Sequence, residues 1–136
     1  MLIRLYQDAD FAGVDQLWHE AFPHDAPRNR AAAAIPAVLA VQPDLFFVAV
    51  DDAAIIGTVM AGYDGHRGWL YAVAVSADHR RSGVGSALVR TAEKALRAAG
   101  CAKVNLQVRA GNEAVAGFYR KLGYDVEERI SMGRLI

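Results

Sequence analysis

The chain has a single cysteine, Cys101, among its 136 residues, which excludes an internal disulfide and a cysteine-built metal cluster. No neighbouring residue offers the His and orienting group that a nucleophilic thiol needs, so Cys101 reads as a buried structural thiol. Net charge is also missing, because 15 Lys and Arg balance 15 Asp and Glu. That balance argues against a general nucleic-acid binder, which carries a basic excess. No apolar run approaches the ~20 residues of a membrane-spanning helix. The opening stretch MLIRLYQDAD lacks the basic-then-apolar order of a secretion signal. A soluble cytoplasmic protein, with neither nucleic acid nor membrane as partner, is the expectation. Repeats, linkers and low-complexity stretches are absent too.

What is present is enough for one core. With 54% hydrophobic residues and this length, residues 1–136 are expected to form a single domain. A chain of this size buries about two-thirds of its unfolded surface on folding. The charge is unevenly divided. Residues 1–79 hold 4 Lys and Arg against 10 Asp and Glu, whereas residues 80–136 hold 11 against 5. Chance clustering on solvated faces explains such a split; so does a basic half that meets an anion.

Hydrophobic patterning predicts strands over residues 2–6, 45–50, 55–63, 69–75 and 103–109, and one or two closing strands in 124–136. Asp51-Asp52-Ala53-Ala54 reads as a hairpin turn, and Gly57 and Gly62 as possible bulge sites. The run 69–75 is apolar throughout, so burial on both faces is expected. Helices are predicted after Asp8, over residues 31–40, 83–99 and from Glu113 to Leu122, the last capped by Asn112. Pro36 has to start, kink or split the second of these. The order implies a mixed sheet with helices on both faces, in which 69–75, the following helix and 103–109 form one parallel β-α-β unit.

The segment that carries chemistry is Val73-Ala74-Val75-Ser76-Ala77-Asp78-His79-Arg80-Arg81-Ser82-Gly83-Val84-Gly85-Ser86. Two glycines fall where a helix begins, and the first N–H groups of a helix have no partner within it. The helix dipole adds positive potential there, and Arg80 and Arg81 precede it. This is an anion site, and a pyrophosphate fits it. The P-loop pattern fails because no Gly-Lys pair exists. The dinucleotide fingerprint fails because Leu88 stands where its third glycine belongs and seven residues separate Gly83 from the strand.

Arg80-Arg81-Ser82-Gly83-Val84-Gly85 does match Arg/Gln-x-x-Gly-x-Gly/Ala. With the strand Val73-Ala74-Val75 before it and Asn112-x5-Phe118-Tyr119-x3-Gly123-Tyr124 one strand later, the chain resembles the GCN5-related N-acetyltransferase (GNAT) superfamily. The stretch from Gly57 through Asp64-Gly65-His66-Arg67-Gly68 and the ending Leu122-Gly123-Tyr124 further resemble the bacterial YpeA-like acetyltransferases. The resemblance covers nearly the whole chain. It implies an α/β (α+β mixed) fold with a mostly antiparallel sheet of about six to seven strands, helices on both faces and a splayed parallel strand pair.

The resemblance also implies a chemistry. Acetyl-CoA is the co-substrate, with no metal, and an amine attacks its thioester directly. The pantetheine arm pairs with the backbone around Val73, Ala74 and Val75. The pyrophosphate lies on the amides of Arg81, Ser82, Gly83, Val84, Gly85 and Ser86, with the Arg80 and Arg81 side chains at the rim. An N–H near Val73 stabilises the oxyanion. Asn112 and Phe118 help hold the cofactor, and Tyr119 protonates the departing thiolate. A Phe-Tyr pair on an amphipathic helix is otherwise plain core packing. Many relatives carry a Glu on the strand before the loop as base; residues 69–75 hold no carboxylate. Asp64 and His66, in the preceding turn, are the candidates, although Asp and Gly there also serve a turn conformation. Tyr71 could hold a water. The acceptor is a small-molecule, peptide or protein amine. A homodimer is compatible, with 124–136 supplying an edge. The competing reading is a CoA-binding module without activity. His79 is expected to face solvent.

Overall fold

A computed structural model describes all 136 residues and divides into two compact units, Met1–Leu106 and Gln107–Ile136. The first unit is a five-stranded sheet ordered β1-β2-β3-β4-β5. Its strands are β1 (Leu2–Leu5), β2 (Phe46–Asp51), β3 (Ala54–Tyr63), β4 (Gly68–Val75) and β5 (Val104–Asn105). The first three pairings are antiparallel and β4 with β5 is parallel. Helices α1 (Phe11–Ala21) and α2 (Ala31–Val41) cover one face, and α3 (Val84–Ala98) the other. The second unit holds α4 (Glu113–Lys121).

The packing follows from the side chains. Val14, Leu17 and Trp18 of α1 and Ala31 and Ile35 of α2 join Phe46, Val48, Met60 and Ala74 in one buried cluster. Leu88, Val89, Ala92 and Leu96 recur at helical spacing on α3 and are fully buried. Gly57 lets α3 approach closely, since a Cβ there would lie 2.8 Å from a Leu88 methyl. Asp52 and Ala53 both have positive φ (47° and 64°), the two-residue hairpin turn that matches strand twist. Arg4 of β1 donates two hydrogen bonds, of 2.8 and 2.9 Å, to the Asp10 carboxylate, tying the first strand to the entry of α1.

The fold departs from expectation in five places. The sheet has five strands, because 103–109 shrinks to Val104–Asn105 and 124–136 forms no strand. Val126, Ile130 and Met132 do alternate as a strand would, but they are exposed, and a pattern without a ladder partner is not a strand. On β4, Tyr71 is 52% exposed, so that strand is not buried on both faces. Helix α2 runs unbroken through Pro36, which leaves the carbonyl one turn earlier without its intrahelical donor. Of the two expected bulge glycines, Gly57 flanks a register shift and Gly62 pairs regularly with Trp69.

Candidate active site

The ladder between β4 and β5 contains only Gly68↔Val104 and Trp69↔Asn105. Beyond Trp69, β4 continues for six residues with no strand on that edge. Its other edge stays paired to β3 down to Val75↔Gly57. The splayed parallel pair expected from the sequence is therefore present. The open edge carries Val73, Ala74 and Val75, whose backbone can receive an extended amide-bearing chain as an added strand.

A β-bulge interrupts β4 on its paired side. Thr58 faces Ala74 and Met60 faces Tyr71, so Ala72 and Val73 together oppose Val59. Ala72 has φ 47°, in the left-handed region. A side-chain bond spans this irregularity. The fully buried Thr58 accepts a hydrogen bond from Trp18 Nε1 at 2.9 Å, and its Oγ1 donates to the Ala72 carbonyl at 2.8 Å.

The open edge leads into the basic loop. Ser76 opens a single 3-10 turn, and His79 Nδ1 lies 2.9 Å from Ser76 Oγ. Ser82 donates to the His79 carbonyl. His79 Nε2 is 3.8 Å from Asp51, so this histidine organises the loop rather than simply facing solvent. Arg81 and Gly83 both take left-handed conformations (φ 63° and 86°). Gly83 is the N-cap of α3 and supplies no side-chain cap. The first amides of a 15-residue helix, on Val84, Gly85 and Ser86, therefore have no side-chain cap, with exposed Arg80 and Arg81 just before them. Helix α4 contrasts with this: Asn112 Oδ1 accepts from the Val115 N–H at its N terminus.

In the second unit, Tyr119 is buried, edge-on to Phe118 (centroids 5.0 Å apart) and to Tyr124 (5.7 Å). Burial pushes its phenol pKa up to about 12.

The turn Asp64–Arg67 sits at the opposite end of β4 from the bulge. Val73 is five positions along the strand from Gly68, roughly 16 Å at an ordinary strand rise. Asp64 Oδ1 accepts from the backbone N–H groups of His66 and Arg67, each at 2.7 Å. Those bonds, Arg67's first, hold its carboxyl below the usual carboxylate range. Tyr63 donates to the Gly100 carbonyl, which places this turn beside the C-terminal end of α3, away from the basic loop. Asp64 and His66 are thus not brought to Val73, and Asp64 serves as a turn cap with weakened basicity. Tyr71 is closer to the bulge, directly before Ala72, and is exposed. Partial desolvation of its hydroxyl and then the Asp64 charge raise its pKa.

Thr58 and Trp18 were not singled out by the sequence as parts of a site. By spacing, Trp18 is one more apolar position on α1 beside Val14 and Leu17. A lone hydroxyl inside the otherwise apolar run 55–62 was the available clue. No group of three or more His, Cys, Asp or Glu side chains is placed to hold a metal ion. No helix is long and apolar enough to cross a membrane.

Comparison with known proteins agrees with this geometry. Residues 5–124 match the acetyltransferase (GNAT) family. An acetyltransferase of Yersinia enterocolitica is 43% identical over 134 residues, covering 98% of this chain and 94% of that protein. Among solved structures, Ard1 from Thermoplasma volcanium superposes with a TM-score of 0.83 at 24% identity, covering 93% of this chain and 83% of that one. AAC(6')-Iy, solved with the bisubstrate analogue CoA-S-monomethyl-acetylneamine, gives 0.79 at 19% identity, covering 99% and 97%. The two structures share the fold, and the family match and the Yersinia relative carry the assignment: the chain belongs to the acetyltransferase (GNAT) family of N-acetyltransferase enzymes.

Proposed function

We propose that this protein transfers the acetyl group of acetyl-CoA to a primary amine, by direct attack of the amine in a ternary complex. The observation that carries the reading is the open edge of β4, which runs into an α3 N terminus without a side-chain cap and flanked by two arginines. Strand edge and helix end bind different parts of one ligand. The backbone of Val73 to Val75 pairs with the pantetheine amides. The amides of Arg81 to Ser86 take the pyrophosphate, with the Arg80 and Arg81 side chains adding charge at its rim.

The chemistry needs three things from the protein. The thioester carbonyl has to meet a donor as it becomes an oxyanion, and the Val73 N–H is that donor. The departing sulfur has to receive a hydrogen bond and then a proton. Tyr119 is assigned this role by its place in the second family motif, with Asn112 and Phe118 beside the cofactor. A phenol raised to about 12 keeps its proton throughout the neutral range, so the donor is intact when the C–S bond breaks. Last, the acceptor ammonium, with an ordinary pKa near 10.4, has to lose a proton before attack. Asp64 and His66 lie too far along β4 to take it directly. Tyr71 bears the only hydroxyl on β4, and we assign it to hold a water that relays this proton to bulk solvent.

Residues 1–136 act as one catalytic domain in this reading, because the family match runs through the boundary between the two compact units. The acceptor is a small-molecule or peptide amine. Relatives named acetyltransferase and an aminoglycoside N-acetyltransferase of the same fold, solved with CoA, support the reaction class. The test is thiol release from acetyl-CoA across a panel of amines, with the acetylated product identified by mass.

A further inference from the structure

We propose that Thr58 and Trp18 are positioning residues for the acetyl transfer: they fix the Ala72–Val73 peptide so that its N–H faces the open edge of β4. This rests on the reading above, in which that N–H stabilises the oxyanion.

Thr58 is an unusual case of polar burial: it is completely buried and lies in the apolar run of β3. A hydroxyl there costs stability unless both its donor and its acceptor capacity are used. Both are: Trp18 Nε1 donates to it at 2.9 Å, and it donates to the Ala72 carbonyl at 2.8 Å. Because Trp18 donates, the Thr58 proton is left to point at Ala72. The indole thereby sets the direction of the second bond.

That second bond lands on the bulge. Ala72 holds a left-handed conformation that an alanine adopts only under constraint, at a cost of roughly 1–2 kcal/mol. Every peptide bond in the chain is trans. In a trans peptide the carbonyl of one residue and the N–H of the next point in opposite directions. Holding the Ala72 carbonyl toward Thr58 on β3 therefore turns the Val73 N–H away from β3. The side away from β3 is the edge that β5 leaves after Trp69. Without the Thr58 hydroxyl, the Ala72 peptide loses the side-chain bond that holds it in this orientation.

The test compares Thr58→Val, Thr58→Ser and Trp18→Phe in the full chain, with acetyl-CoA and an amine that the wild type acetylates. Thr58→Val keeps the side chain's shape and removes the hydroxyl. We expect its kcat to fall roughly tenfold or more, below the 10²–10³ seen when an oxyanion donor itself is deleted. The KM for acetyl-CoA and the Kd for CoA stay within about twofold, because binding uses other groups. Thr58→Ser restores kcat to within about threefold. Trp18→Phe gives a smaller fall of the same kind. A purely structural role would lower the melting temperature and leave kcat per folded molecule unchanged; that result overturns the proposal. So does a loss of kcat that Thr58→Ser fails to rescue. Should Thr58→Val not fold, the Trp18→Phe and Thr58→Ser kinetics decide the matter by the same criteria. A wild type that turns over no amine overturns the functional reading instead, which separates the two failures.

Discussion

Thr58 Oγ1 donates a 2.8 Å hydrogen bond to the carbonyl of Ala72, across the point where β4 bulges away from β3. The bond joins a buried hydroxyl to a backbone group in a strained conformation, so the bulge has to tolerate only residues that accept positive φ. Ala72→Gly relieves the strain and should leave stability within about 1 kcal/mol of wild type. Ala72→Val places a β-branched residue at φ 47° and should lose about 1–3 kcal/mol. Denaturant midpoints of the two variants check this. Equal stabilities would mean that the left-handed conformation is not required.

Tyr119→Phe removes the proposed proton donor and keeps the ring that packs edge-on to Phe118 and Tyr124. Turnover should fall at least tenfold, a barrier increase of about 1.4 kcal/mol, while CoA affinity stays near normal. The raised pKa fixes the pH dependence. The phenol is protonated below about 12, so the wild-type rate should show no alkaline loss from this group until pH nears that value. A rate profile on the wild type and the variant reads both effects.

Arg80 and Arg81 are exposed on the loop before α3, so the role proposed for them is charge at the rim rather than buried pairing. The double variant Arg80→Ala, Arg81→Ala should bind CoA about tenfold more weakly, with kcat changed less than about twofold. Half-molar salt should shrink the difference, since exposed charges are screened. Calorimetric titration with CoA at two salt concentrations checks both statements.

These residues show how far the sequence could be read. The loop Arg80–Gly85 and the motif from Asn112 to Tyr124 are local patterns of adjacent residues, so the family they point to is legible in the sequence. The three long strands and all four helices followed from apolar spacing, with ends off by a residue or two. Pairing was not legible. Residues 106–109 and 124–136 have strand-like composition, yet a strand exists only where a neighbour supplies its hydrogen bonds. Asp64 and His66 looked plausible as bases because they precede β4 in sequence. Strand direction then carried them to the far end from the bulge. Thr58 was invisible for the converse reason: its partners, Trp18 and Ala72, lie 40 and 14 residues away.

Asp10 gives the fold a pH-dependent tie. Its two bonds from Arg4, with a further one from the Gln7 N–H at 2.8 Å, hold its carboxyl below 3.8. A lowered carboxyl pKa contributes stability above the unfolded value, and that contribution disappears as pH falls through the lower folded value. Asp10→Asn should cost about 1–2 kcal/mol at pH 7. The gap between variant and wild type should close as pH drops from about 4 toward 2. Melting curves over that range check the sign; a gap that widens in acid would contradict it.

In the function proposed above, the open edge of β4 and the α3 N terminus together serve acetyl transfer to an amine. The direct measurement is release of CoA thiol from acetyl-CoA, followed across small amines, amino acids and peptide N-termini, alongside calorimetric binding of CoA. The expected result is CoA binding, together with thiol release that depends on at least one amine and yields an acetylated product of matching mass. Tight CoA binding with no turnover on any amine would contradict it and leave a CoA-binding module in its place.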